Sequence, residues 1–271
     1  MDVYSETQKL FQNFQGKKTI IGKSVLGRNL YAFKIGAGKP VGIVQYALHG
    51  REFITSCLAK EHIKVGLYKG SVWLIPLSNP DGALLSQTGL KSVRGEKRKR
   101  QLLALNKGNE DFSLWKANAR GVDLNVNFDA EWGKGEKNIQ SAGAENYIGT
   151  KPFSEKETRA LKRFTQKIAP DYTVSYHTKG EEIYWYFGQT DKALIRDKRL
   201  ADTIAKTTGY ILAQPSGSAG GYKDWCIRTL HIPAFTIEAG ADILSHPIRQ
   251  DNFTEIAKKN RFVLYELSKV F

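Results

Sequence analysis

The sequence predicts an α/β fold: a mixed, mostly parallel central sheet with helices on both faces. Short runs rich in β-branched and aromatic residues alternate along the chain with stretches of helical periodicity, the pattern of strands linked by covering helices. The 271 residues contain no internal repeat and no Pro/Gly/Ser-rich linker, so one domain over residues 1–271 is the simplest division.

The N-terminal stretch MDVYSETQKLFQNFQGKK is polar and amphipathic and lacks the apolar core of a signal peptide. TIIGKSVLGRNLYAFKIG reads as two alternating strands joined near Gly27. GAGKP after it reads as a turn, since it lacks the G-x-x-x-x-G-K-[ST] spacing of a phosphate loop. Strands follow at VGIVQYAL, SVWLIPLS, YTVSYHT and AFTIEAG. Helical patterns cover residues 55–67, 154–168, 193–208 and 252–270. Ser154, with Glu157 three positions on, has the spacing of a capping box. Over residues 89–117 periodicity fails and the basic run from Lys91 to Arg100 reads as a long loop. It is either a solvated excursion or an anion-attracting rim beside a site.

Hydrophobic residues at 41% and charged residues at 25% are globular values and exclude a disordered or low-complexity chain. The net charge of +14 draws anionic partners without choosing among them. The basic run lacks the interleaved aromatics used for base stacking, which argues against nucleic acid. No apolar run approaches the roughly 18 residues of a membrane span. Cys57 and Cys226 stand far apart and read as two buried thiols in a reducing compartment. These features predict a cytoplasmic protein that does not engage membranes.

The most informative peptide is ALHGREFITS, where His49 and Glu52 stand three apart just past a strand, the edge at which open α/β sheets place ligands. An imidazole and a carboxylate at that spacing can converge on one cation, and a third ligand leaves zinc an open position. H-x-x-E pairs are also common by chance. Of the other histidines only His177 ends a convincing strand; His62, among Lys60, Glu61 and Lys64, reads as a surface residue, and His231 and His246 precede loop prolines. NPDG at Asn79 follows a strand, and ARGVDLNVNF places Arg120, Asp123 and Asn125 within six positions. Asp123 can take the second ring nitrogen of His49. Arg120, or alternatively Lys116, can stabilise an oxyanion. Glu238, ending the strand in TIEAG, can serve as a general base; a strand acid paired with a surface lysine is the plainer reading.

Together these peptides resemble the zinc carboxypeptidase family, the M14 or funnelin metallopeptidases, from about residue 23 to residue 271. The resemblance implies one zinc ion per chain on His49, Glu52 and His177, and Glu238 as the catalytic glutamate. N-P-D-G matches Asn79 to Gly82, and G-x-D-x-N-R-N-F matches Gly121 to Phe128 with Val126 in place of arginine and Asn125 retained. In the family that arginine holds the substrate's terminal carboxylate bidentately, which valine cannot do.

YHTKGEEIYWYFG and AGGYKDW narrow the likeness to bacterial γ-D-glutamyl-L-diamino acid endopeptidases, implying a peptidoglycan stem peptide or muropeptide as substrate. Lys223 then falls near the position lining the side-chain pocket, where its ammonium suits a carboxylate such as that of diaminopimelate; exposure to water is the other reading. Tyr222 is expected as a phenol over the cleft, although an ungapped count sets Ser216 where the wider family has its tyrosine. Tyr184, Trp185 and Tyr186 form either strand packing or a platform. The alternatives are a metallocarboxypeptidase or small-substrate amidohydrolase of the same fold, needing Arg51, Arg94 or Lys179 as replacement cation, and a non-enzymatic binder of anionic polymer.

Overall fold

The computed structural model describes residues 1–213 and 217–271, so Ser216 lies outside the described residues. Eight strands form one mixed sheet: β1 (Lys18–Lys23), β2 (Asn29–Ala37), β3 (Val41–Tyr46), β4 (Gly70–Ile75), β5 (Tyr172–His177), β6 (Glu182–Tyr184), β7 (Ile211–Leu212) and β8 (Ala234–Glu238). Their order is β1-β2-β4-β3-β5-β8-β6-β7. The central four, β4-β3-β5-β8, run parallel; β1 and β2 on one side are antiparallel to their neighbours, and on the other β6 is antiparallel to β8 and parallel to β7.

Register in the centre follows from side-chain alternation. Val44 pairs with Val174, which pairs with Phe235, and all three turn to one apolar face; Ile43 and Ala234, one residue earlier, turn to the other. Each of these buried Val, Ile and Phe side chains contributes about 1.5–3 kcal/mol, and a one-residue slip would reverse both faces. The first face is covered by α2 (Leu58–Val65), α6 (Asp191–Thr208), α8 (Phe253–Asn260) and α9 (Val263–Val270), and the second by α5 (Lys156–Ile168) and α7 (Tyr222–Leu230). This is the layered sheet that the alternating pattern predicts.

Local differences have local causes. The basic stretch expected as a loop carries α4 (Glu96–Leu105), in which only Leu102 is buried. Lys, Arg, Glu, Gln, Leu and Ala all favour helix, so propensity makes it helical without an apolar stripe to reveal it. Among the described residues three further helices were not expected: α1 (Val3–Asn13), α7, and α3 (Pro80–Thr88), which begins inside NPDG. The expected helix over 252–270 is broken at residues 261–262 into α8 and α9, and that over 55–67 is preceded by a 3₁₀ run, Gly50–Cys57. The capping box does not form. Glu155 is the N-cap of α5, Ser154 donates to Glu155, and the Glu157 carboxylate instead accepts the Val25 N–H at 2.9 Å. Cys226 is buried but Cys57 is half-buried; both are free thiols. No helix among the described residues is long and apolar enough to cross a membrane.

Candidate active site

The site forms where the parallel strands end. Continuous register sets His177, the last residue of β5, beside Glu238, the last of β8. One strand over, the chain leaves β3 and enters the 3₁₀ run with His49 at its cap and Glu52 inside it. Asn79 fixes this junction: its Nδ2 donates to the carbonyls of Leu48 and Ala117, and its Oδ1 caps α3 at the Gly82 N–H. A Cβ at Gly50 would lie 2.5 Å from the Gly82 carbonyl and 2.7 Å from the Trp115 oxygen, so only glycine allows this approach.

His49 and His177 turn their Nδ1 atoms toward each other at 3.1 Å, and each meets a different oxygen of Glu52, at 2.9 and 3.0 Å. All three are buried. Burial favours the protonated acid, but the imidazoles outweigh it and hold the Glu52 carboxyl well below the usual range. Two nitrogen lone pairs and a carboxylate converging within 4.8 Å are positioned to bind a metal. Their N, N, O chemistry fits zinc. His62 corrects the surface reading: it is fully buried, 2.6 Å from the Tyr46 hydroxyl and 3.2 Å from the Asn260 carbonyl, and burial lowers its pKa to about 4. His246 bonds Thr178, and His231 terminates α7 in the left-handed region.

Asp123 joins the donor set to the cleft. Its Oδ1 lies 3.3 Å from His49 Nε2 and its Oδ2 lies 2.8 Å from Lys116 Nζ. Against the effect of burial, Lys116 and His49 keep this carboxyl well below its usual range. Of the two cations weighed from sequence, Lys116 is the one that lines the cleft with His49 and Glu238. Arg120, the first choice from sequence, is not among the lining residues; its half-exposed side chain reaches toward Glu155 at 3.7 Å. The reason is Asn118, whose Oδ1 accepts the Arg120 and Val122 N–H groups and turns the chain outward.

The cleft, of about 300 Å³, is also lined by Asn125, Val126, Tyr184, Lys223 and Asp224. Burial raises the Glu238 pKa to about 7. Lys223 is largely buried; its Nζ donates to Asp224 Oδ1 at 2.5 Å and to the Tyr186 carbonyl at 3.0 Å. Asn125 accepts the Tyr222 N–H at 3.2 Å. The Tyr222 phenol is not over the cleft: it is fully buried, 2.8 Å from Thr165 Oγ1, because Tyr222 opens α7 with its ring among Phe128 and Trp225. The aromatic run divides, Tyr184 lining the cleft while Trp185 packs on the core. Arg51 pairs with Glu145 and Lys179 with Asp242, and neither they nor Arg94 line the cleft. Tyr184 agrees with the platform reading of the aromatic run, whereas Asp224 has no place in the sequence reading. Asp224 follows Lys223 directly, and that charged pair between Tyr222 and Trp225 was the signal available.

A convergent imidazole–carboxylate–imidazole set at the carboxyl edge of a mixed sheet, with the half-buried Glu238 beside it, defines a metallohydrolase-type centre. The chain belongs to the zinc carboxypeptidase family, whose model matches residues 5–260. It is 30% identical over 269 residues to γ-D-glutamyl-L-diamino acid endopeptidase 1 of Lysinibacillus sphaericus, covering 92% of this chain and 66% of that protein. It is 32% identical over 233 residues to murein peptide amidase A of Escherichia coli (strain K12), covering 80% and 78%. The fold matches bovine thrombin-activatable fibrinolysis inhibitor, solved with tick carboxypeptidase inhibitor, with a TM-score of 0.78 at 18% identity over 100% of this chain and 96% of that one.

Proposed function

We propose that the protein is a zinc-dependent peptidase that hydrolyses the γ-D-glutamyl–diamino acid bond of peptidoglycan stem peptides. The observation that carries this reading is the pairing of Val126 with Lys223 in one cleft: an apolar residue where the family clamps a terminal carboxylate, and a cation in the side-chain pocket. One relative named for the γ-D-glutamyl-L-diamino acid bond and one named for murein peptides support it, and the free cysteines fit a cytoplasmic role in muropeptide turnover.

His49, Glu52 and His177 would hold the metal, which when bound supplies Lewis acidity at a peptide carbonyl and acidifies a water. Asp123 fixes the orientation of His49 through its second nitrogen. Glu238, at the end of β8 beside His177, accepts the proton from the attacking water and returns it to the leaving amine. Lys116 brings positive charge to the developing oxyanion. Asn125, its Oδ1 held by Tyr222, offers Nδ2 to the substrate backbone. Lys223 receives the distal carboxylate of the diamino acid.

The test is to incubate the protein with L-Ala-γ-D-Glu-diaminopimelate and with N-acylated α-peptides, with and without chelator, and to identify products by mass. Chelator-sensitive release of the diamino acid supports the reading. Release of C-terminal residues from α-peptides alone would replace it with a carboxypeptidase.

A further inference from the structure

The metal cleft has a neighbour. A second cavity, of about 250 Å³, shares Tyr184, Lys223 and Asp224 with it and adds Glu131, Tyr186, Phe187 and Arg228. Lys223 and Asp224 thus stand on a sill between the two, the ammonium tied to Asp224 and the Tyr186 carbonyl and lying 5.3 Å from the Phe187 ring centroid. Beyond the sill the wall is aromatic: Tyr186 is 36% exposed and Phe187 is half-buried. At the far end Arg228 meets Glu131 at 2.6 Å in a largely exposed pair. The lining of this second lobe is more apolar than that of the metal cleft.

A free side chain recognised at Lys223 would end at the sill and leave the lobe to water. Flat aromatic walls suit the planar amide of a peptide and its small side chains, and the Arg228 guanidinium suits a carboxylate. We propose that the second lobe receives a peptide branch joined by an amide to the side chain of the residue bound in the pocket, so that the chain acts on side-chain-branched, cross-linked peptides. Lys223 and Asp224 then face the branching amide, an acceptor and a donor on one planar group. Which residue is branched rests on the proposed function; the existence of the lobe does not.

The test uses two substrate series, one built on γ-D-Glu-diaminopimelate and one on α-peptides ending in lysine. Each is prepared unbranched and with a D-alanyl peptide on the distal amine. The reading is the ratio of kcat/KM for branched over unbranched substrate, which cancels general losses of folded enzyme. Contacts between flat groups and aromatic walls contribute enough to raise the ratio about three- to tenfold. Phe187→Ala and Arg228→Glu should each bring it toward one. A branch advantage in the α-series with no cleavage of the γ-series would keep the lobe and overturn the proposed substrate. A ratio at or below one in the wild type, or one that both variants leave unmoved, would overturn the lobe. Failure to cut either series would overturn both.

Discussion

Removing Lys116 tests the electrostatics of the site most directly. Lys116 lines the cleft beside His49 and Glu238, and its Nζ is also the partner, at 2.8 Å, of a carboxylate that is fully buried. Lys116→Met therefore has two separable consequences. Loss of a donor to a developing oxyanion lowers kcat about 10²- to 10³-fold, or about 3–4 kcal/mol of transition-state stabilisation. Stranding one member of a buried pair costs about 3–5 kcal/mol of stability, and here the lower end applies because Asp123 keeps His49 Nε2 at 3.3 Å and the N–H groups of Asn125 and Asn146. Arg120→Ala is the control: a half-exposed cation 3.7 Å from its acid contributes less than about 1 kcal/mol and leaves turnover intact. Stem-peptide hydrolysis, bound zinc and denaturant unfolding are to be measured on both variants. Turnover in Lys116→Met within about threefold of wild type at full zinc content, or a hundredfold loss in Arg120→Ala, would refute the assignment.

Three further outcomes follow from distances and burial. His177→Ala removes one of three donors and should abolish stoichiometric zinc in the purified protein, read by metal analysis; retained zinc would exclude His177 as a ligand. Tyr222→Phe breaks the buried 2.8 Å bond to Thr165, so it should cost about 1 kcal/mol of stability with kcat unchanged, whereas a large kcat loss would return the phenol to the cleft. Burial, with Asp81 nearby, raises the Glu157 pKa to about 7. The folded state then holds this proton more tightly than the unfolded chain, and its contribution to stability is present below the ordinary carboxylate range and lost as pH rises toward 7. Relative to Glu157→Gln, the wild type should lose about 2 kcal/mol between pH 5 and pH 7 in urea unfolding; a pH-independent difference would show that the acid is not neutral in the fold.

The sequence by itself determined the strands and the places where they stop. Alternation within β3, β5 and β8 is a local property, and a fixed register then decides that His177 and Glu238 finish side by side. The three-residue separation of His49 and Glu52 lets one turn present both to the same point, so two of the three donors were legible locally and His177 was read from its place at the end of β5. What tertiary structure alone decided is which side of a non-repeating segment faces inward. Lys116 and Arg120 are both basic and four residues apart in a stretch without periodicity; the choice fell to Asp123 and Asn118, whose bonds pull one cation in and turn the other out. Tyr222 and His62 were misplaced for a related reason. A polar aromatic side chain reads as exposed until the fold supplies a buried hydrogen-bonding partner, here Thr165 for one and Tyr46 with Asn260 for the other. Burying such a group without a partner costs more than the bond returns, so the decision rests on residues 57 and 198 positions away, beyond the reach of any local pattern.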